Sequence, residues 1–521
     1  MKRGKGEDGS KSIDRISELP QCILQRILYF MSQEDAVRTS VLSKSWREIW
    51  CTRPNLDLSD ATFKGNNGEF ISVLENTLRR YCEQRLSLDE CSLSCTSFDS
   101  TSVSLIEKWI PLITSAGVKN FRLSIVPAHF GHVKLPSVVF ETESLRDLHV
   151  ERFILDQKAI EKTVLFKHLK KLRLEQVCIH DRIFQKIISS CPLIETMFLK
   201  SCNTIRSIKA SNLRRLKDFY FSSWSDEEDC SIEIYPTSIE TIQIESGNIL
   251  LHQGSNFLNL TSLFLDHVTL SSLDHFSSCK FPSLENVAIL YCNGLEESLE
   301  ESHLHIDAPN ISTFGYHGLL IPSISFATTS TEWSSCLYLL MRSDPSFWLL
   351  KLHKLLDSLR QSEISVTIHQ FRMNDEDIFQ ENLDLVQDIK GGNKPAVPLE
   401  DLKLQGDLSY FSPLLNGLFC ICRPRKIGAI NYMNAESVLK NLMQGENGNY
   451  QDQLRQLWLP DLEEVSLEIY DKNRREWDPT SLSDLPDYEV GKRISTRFAL
   501  KWRESFWFVF LQRDTRLDEI I

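Results

Sequence analysis

One phrase recurs through the middle of this 521-residue chain: an apolar residue, two variable ones, an apolar residue, one variable residue, and a third apolar residue. It reads Val118-Phe121-Leu123, Leu145-Leu148-Val150, Leu169-Leu172-Leu174, Ile194-Met197-Leu199 and Leu216-Phe219-Phe221. It continues as Ile239-Ile242-Ile244, Leu260-Leu263-Leu265, Leu284-Val287-Ile289 and Ile311-Phe314-Tyr316. Successive copies start 27, 24, 25, 22, 23, 21, 24 and 27 residues apart. Residues two apart share one face of a strand, so each phrase predicts a short strand with an inward apolar side. No single unit can bury that side alone, whereas stacked copies bury it between neighbours. Phe184, Ile187, Ile188 and Cys191 have helical spacing ahead of Pro192, which predicts a helical return between two strands.

A period of roughly 20–29 residues is that of leucine-rich repeats, and residues 85–321 are assigned to them. Beyond 320 the register weakens. FATTSTEWSS (326–335) reads as a loop, and Phe347 to Leu359 reads as a helix carrying Leu349, Leu352, Leu355, Leu356 and Leu359. Residues 372–397 read as an exposed insertion. Strand phrases return at Leu399-Leu402-Leu404 and Leu462-Val465-Leu467. Residues 346–521 are therefore expected to be irregular C-terminal repeats and a cap.

Ahead of the repeats, residues 13–50 predict three short helices, within a head assigned to 13–53. Pro20 suits a helix start, and Ile23, Leu24, Ile27, Leu28 and Met31 follow at helical spacing. Ser32 with Asp35 makes an S-x-x-D capping pattern. Ser43 restarts the chain into a helix with Trp46, Ile49 and Trp50. Under forty residues cannot bury so many large apolar groups alone, so some must face a neighbour. The run DRISELPQCILQRILYFMSQEDAVRTSVLSKSWREIW resembles the F-box of plant F-box proteins. The resemblance rests on Leu19-Pro20, Ile23-Leu24, Ile27-Leu28, residues 35–40, Val41-Leu42-Ser43-Lys44, Trp46-Arg47 and Trp50. Members of that family usually carry proline where this chain has Ser32 and a second basic residue where it has Ser45; neither departure removes an apolar anchor. CPLIETMFLKSC (191–202), DAPNISTFGYHG (307–318) and STRFALKWRE (495–504) resemble the degenerate repeats and tail of plant F-box/LRR-repeat proteins.

The resemblance implies an α/β chain, a small helical F-box head followed by a curved leucine-rich-repeat solenoid. It further implies docking onto a Skp-family adaptor, and through it onto a cullin and a RING protein, with the repeats binding a target protein for ubiquitination. The adaptor-binding residues would be Leu19, Pro20, Ile23, Leu24, Ile27, Leu28, Val41, Leu42 and Trp46. The alternative is a repeat scaffold that binds a protein without delivering it for ubiquitination; the head separates the two readings.

Composition narrows the function classes further. Acidic residues outnumber basic ones, 71 to 58, for a formal net charge of −13. A surface that acidic is ill suited to a phosphate backbone, so no nucleic-acid partner is expected. The longest apolar run, Phe506 to Leu511, is far short of the roughly 20 residues a spanning helix needs, so no membrane partner is expected either. The start, MKRGKGEDGSKSIDR, has no apolar core, and residues 1–12 are expected to be disordered. Fourteen scattered cysteines then predict reduced thiols in an intracellular protein of the nucleus and/or cytoplasm. No phosphate-binding glycine loop and no G-x-S-x-G elbow occurs, so no catalytic residue and no cofactor is assigned. His303, His305 and Asp307 alternate as a partial metal cluster without a fourth ligand, and Cys420 with Cys422 lacks a second pair; no metal is assigned.

Between the core positions of each phrase, variable residues point onto the open face. The central ones are His149, Arg173, Phe198, Tyr220, Gln243, Phe264, Ala288 and Gly315. Charges on and beside that row are mixed in sign, as suits a protein or peptide partner. Aromatic residues dominate interface energies, so Phe198, Tyr220 and Phe264 are the expected centre of the substrate site. Arg173 and Lys200 are expected on its rim, pairing an acidic segment.

Overall fold

The computed structural model describes residues 16, 19–61, 63, 67–98, 100–127, 133–155, 166–202, 204–211, 213–223, 230–235, 238–295, 303–341, 348–370, 396–405, 411–428, 450–471, 474–481 and 496–503. The expectations for residues 1–12, for most of 372–397 and for Phe506–Leu511 lie outside them. The protein is a mixed α/β chain, a helical head followed by a strand-rich region, and it divides into two compact units, Met1–Glu228 and Asp229–Ile521. Among the described residues no helix is long and apolar enough to cross a membrane.

Three helices open the first unit: α1 (Gln21–Tyr29), α2 (Gln33–Thr39) and α3 (Lys44–Cys51). Local side chains set two of the starts. Ser32 Oγ accepts the Asp35 N–H at 3.1 Å and donates to the Asp35 carboxylate at 2.8 Å, while Ser43 Oγ accepts the Trp46 N–H at 3.2 Å. Each cap satisfies a backbone donor that a helix start leaves unpaired. Leu24, Leu28, Ala36, Trp46 and Ile49 close together into a small core, with Met31 and Trp50 packed against it. So small a core is marginal by itself, and the head is fastened to the first strands of the repeat region. Tyr29 Oη donates to Glu90 Oε1 at 2.7 Å, and Asn55 Nδ2 donates to the Tyr29 carbonyl at 3.2 Å.

Seven strands of the first unit stack in parallel: Asn55–Ser59, Glu90–Phe98, Asn120–Pro127, Asp147–Glu151, Lys171–Glu175, Thr196–Lys200 and Asp218–Ser222. Their register puts like on like. Leu56, Cys91, Phe121, Leu148, Leu172, Met197 and Phe219 form one row, all buried. The next position forms a second row running from Asp57 and Ser92 through Arg122, His149, Arg173, Phe198 and Tyr220. The helix Asp181–Ser189 supplies one return segment, burying Ile183, Phe184, Ile187 and Ile188.

The second unit repeats the arrangement. Strands Ser231–Ile234, Thr241–Leu251, Ser262–Leu270, Asn286–Leu290, Thr313–Gly318, Ser334–Met341, Glu363–Gln370, Val397–Gln405 and Cys422–Gly428 are each parallel to the next. Across both units every apolar position of the nine phrases is at most 3% exposed. After several strands the chain turns through a left-handed residue that is not glycine, Arg152, Gln176, Ser201 and Tyr291, and His267 adopts the same conformation within the strand Ser262–Leu270. Arg152, Gln176 and Ser201 each donate their N–H to a carbonyl at the end of the next strand, at 2.7–2.9 Å, which offsets part of the cost of that conformation.

Two expectations need correction. The stretch 326–335 is not one loop, because Ile324–Ala327 and Ser334–Met341 are strands with a short connection between them. The second of these escapes a search for apolar phrases because Ser335, fully buried, sits where its neighbour has Phe314. Its hydroxyl is satisfied 2.6 Å from Ser362 Oγ. Second, the phrase Leu462-Val465-Leu467 does not continue the parallel stack. Its strand, Leu462–Asp471, runs antiparallel to Thr496–Trp502 and Glu476–Thr480, and Thr496–Trp502 pairs antiparallel with Cys422–Gly428. An antiparallel group ends the ladder, so Leu462 and Val465 are only half-buried.

Replacing Leu263, which is buried between Ile242 and Val287, with aspartate forces an unpaired charge into the core. We expect a loss of at least the roughly 2–5 kcal/mol of a large-to-small core substitution, read as a melting temperature lower by many degrees. Gln243→Ala, on the half-buried open row, should move melting by little. Equal shifts would mean that the two positions do not differ in facing.

Candidate functional site

Among the described residues, the head carries most of the exposed large apolar side chains. Twelve large hydrophobic residues are exposed among the described residues, and eight of them fall within 16–42: Ile16, Leu19, Ile23, Ile27, Phe30, Val37, Val41 and Leu42. Val41 is 84% exposed and Leu42 is 65% exposed. Exposed apolar side chains concentrated in one short segment are more than scattered surface hydrophobes, which are ordinary. The nine residues expected to dock an adaptor divide between two roles. Leu19, Pro20, Ile23, Ile27, Val41 and Leu42 are on the surface. Leu24, Leu28 and Trp46 are in the head's own core, because they lie on the stripe that α1 and α3 turn toward each other.

The open row of the first unit carries a chain of polar and aromatic contacts. Arg122 Nε donates to His149 Nδ1 at 2.8 Å, and His149 Nε2 lies 2.8 Å from Glu175 Oε1. An acceptor Nδ1 leaves the imidazole proton on Nε2, facing the carboxylate. Arg173 Nε donates to the same Glu175 oxygen at 2.5 Å. Its guanidinium lies 4.0 Å over the Phe198 ring, and Phe198 stacks on Tyr220 with centroids 4.1 Å apart and planes 6° from parallel. Arg173, Phe198 and Tyr220 are therefore brought together, as adjacent strand positions require. Arg173 is neutralised within the chain by Glu175 rather than presented bare. Lys200 is exposed at the end of its strand. Phe264 lies in the second unit, half-buried on the open row between Gln243 and Ala288.

Beside this contact chain is a cavity of about 390 Å³, lined by Arg53, Asn55, Glu90, Arg122, Asp147 and His149 among others. Sequence reading missed it, because it is built by the strands Asn55–Ser59 and Glu90–Phe98, which precede the first recognised phrase. The alternation Leu56-Asp57-Leu58 and the phrase Leu88-Cys91-Leu93 were the available signals. Burial raises the Asp147 carboxyl, against the pull of Lys171. Burial and then Arg122 hold the His149 imidazole below its usual value. Burial would raise Glu175, but the hydrogen bond and charge of Arg173, with His149, carry it below the carboxylate range.

The residues considered for metal or thiol chemistry have other partners. His303 lies 2.8 Å from Ser323 Oγ and 2.6 Å from Ser325 Oγ, and among the described residues no group of three His, Cys, Asp or Glu side chains could hold a metal ion. All fourteen cysteines are free, and eight of them are buried. Cys420 and Cys422 belong to the buried set, and burial pushes the Cys422 thiol up to about 12, far from a reactive thiolate.

A neutral His149 between two arginines implies a pH dependence. Its value is depressed in the folded state, so the stability it contributes is complete above the ordinary imidazole value near 6.5. That contribution is lost progressively as pH falls below 6.5 toward the depressed folded value. An imidazole titration by NMR should place the His149 midpoint below 6.5. A midpoint at or above 6.5 would contradict a neutral ring whose Nδ1 accepts from Arg122.

Two family models match the chain. Residues 16–58 match the F-box domain, and residues 106–237 match the LRR repeats of the FBD-associated F-box protein At5g56370. Neither is an enzyme family. The chain is 27% identical over 285 residues to F-box/LRR-repeat protein 13 of Arabidopsis thaliana, covering 53% of this chain and 61% of that protein. It is 29% identical over 236 residues to the F-box/FBD/LRR-repeat protein At1g13570 of the same plant, covering 43% and 55%. With F-box/LRR-repeat protein At3g59200, also from Arabidopsis thaliana, it shares 27% identity over 239 residues, covering 43% and 44%. The chain spans about half the length of the curated relatives it matches. The chain thus carries a match to the F-box domain followed by a match to the leucine-rich repeats of an F-box protein, and its relatives are the F-box/LRR-repeat proteins of Arabidopsis thaliana.

Proposed function

We propose that this chain is a substrate-recognition adaptor of a Skp–cullin–F-box ubiquitin ligase, a non-catalytic subunit acting inside the cell, in the nucleus and/or cytoplasm. The observation that carries the reading is the concentration of exposed apolar side chains on a head that already has its own core. Leu19, Pro20, Ile23, Ile27, Val41 and Leu42 meet the Skp-family adaptor, and the adaptor brings the cullin and the RING protein. Leu24, Leu28 and Trp46 hold that surface in shape. The strand ladders are coils of a leucine-rich-repeat solenoid, and the open row binds the target. In the first unit the Phe198–Tyr220 stack, edged by Arg173 and Lys200, is the centre of that contact; Phe264 offers a further aromatic contact on the second unit.

Two experiments test this. Val41→Asp with Leu42→Asp changes only exposed positions, so the chain should melt as before while the adaptor is lost from pull-downs. A buried apolar contact is worth roughly 1.5–3 kcal/mol, and two such losses weaken association by at least about a hundredfold. Undiminished adaptor binding would leave the non-degradative scaffold as the better reading.

The second is Phe198→Ala with Tyr220→Ala. The two rings stack on each other at half-buried positions, and such a pair is worth about 0.5–1.5 kcal/mol beyond its burial. We expect a small loss of melting temperature, intact adaptor binding, and the disappearance of the target from proximity labelling. Early melting would assign the pair to the core and move the recognition surface elsewhere.

A further inference from the structure

The strand Leu304–Asp307 and its parallel partner Ile324–Ala327 form a two-stranded sheet of their own, and the helix Trp348–Ser358 packs against the second strand. Where they meet is a cavity of about 190 Å³, lined by His303, Ser323, Ile324, Lys351, Lys354 and Ser358 among others. His303 is held between two hydroxyls, Nδ1 2.8 Å from Ser323 Oγ and Nε2 2.6 Å from Ser325 Oγ. Ser325 Oγ is also 3.0 Å from His305 Nδ1. A neutral imidazole has one N–H and one acceptor nitrogen. With the proton on Nδ1, Ser323 accepts from the ring and keeps its own hydroxyl hydrogen to offer into the cavity. A second proton on the ring makes both nitrogens donors and frees both serine hydrogens.

Two lysines, one imidazole and two serine side chains thus line one small space, in a chain whose formal net charge is −13. Ammonium and hydroxyl donors are the groups that phosphoryl oxygens take. The volume is below the roughly 300–1,000 Å³ of sites for drug-sized ligands, which suits one phosphoryl group with a small attachment rather than a large polyanion. Burial and the neighbouring His305 hold His303 below the usual imidazole range, so the ring is neutral until an anion favours its proton. The other titratable groups on the surrounding elements are Asp307, His353 and Asp357, with Asp274 and His275 on the helix Leu273–Ser277 that packs on the first strand. His353 is buried, and Asp357 is paired with Arg360 at 2.9 Å.

We propose that this cavity binds a phosphate monoester, its phosphoryl group held by Lys351, Lys354 and Ser323 with His303 behind them. The proposal is independent of the adaptor reading. Both lysines have interactions of their own in the ligand-free chain, so an arriving phosphoryl group exchanges for these and inorganic phosphate alone binds weakly.

Isothermal titration of the full chain with inorganic phosphate should give saturable one-site binding, with the His303 imidazole resonance moving in step. Lys351→Ala with Lys354→Ala should weaken it by roughly tenfold or more without changing the melting temperature. Ser323→Ala, a smaller change, should weaken it with the lysines intact. Glucose 6-phosphate binding more tightly than phosphate identifies a free metabolite as the source. A phosphoserine peptide binding more tightly than phosphoserine identifies a segment of a protein. Absence of saturable phosphate binding, or binding that both variants leave unchanged, overturns the proposal.

Discussion

The row Leu56, Cys91, Phe121, Leu148, Leu172, Met197 and Phe219 is the interaction on which the rest of the first unit depends. Parallel pairing in strict register puts each of these side chains beside its counterpart in the next strand, so the core is a continuous column rather than a set of separate contacts. Period two then turns the adjoining position outward. The open row from Asp57 to Tyr220 follows from that constraint. A slip of one residue in any pair would send a leucine row into water and the charged row inside, a far larger cost than any contact on the open face could offset.

That constraint explains why the repeats were legible in the sequence and the open face was legible only in part. Each of the nine phrases from Val118 to Tyr316 names three buried positions, and all of them are buried. Capping by Ser32 and Ser43 was equally local, with partners three residues away. The missed strands failed for compositional reasons. Arg53 and Cys91 stand where the phrase expects aliphatic residues, and Ser335 replaces an apolar side chain by pairing its hydroxyl with Ser362. In the head the difficulty is one of facing. Ile23 with Ile27 and Leu24 with Leu28 are two neighbouring stripes on one helix, both apolar, and helical spacing alone does not say which is turned inward. Tertiary packing chose the second.

The charges of the open face illustrate a further limit of composition. Arg173 counts as a cation in any tally, yet Glu175, two residues along the same strand, takes its hydrogen bond, and Phe198 takes its face. His149 joins Arg122 to the same carboxylate. What such a surface offers a partner is a pre-set array of donors and an aromatic platform, already ordered before binding. Preorganisation of this kind lowers the entropy cost of association, and it favours specificity over the indiscriminate attraction of unpaired charge.

The bond from Tyr29 to Glu90 has a consequence beyond holding the head in place. Glu90 also accepts from Asn120 Nδ2 at 2.8 Å, so one carboxylate joins the head to two successive strands. The head is thereby fixed to the same ladder that positions each strand, and parallel strands follow one another at about 4.8 Å. Each open-row position of the first ladder therefore has a fixed strand number counted from the head. Inserting or deleting one strand with its return segment would shift the later strands of this ladder by one place and leave the bond from Tyr29 to Glu90 unchanged. The first unit is built as a graduated ruler, with its zero mark at a single glutamate.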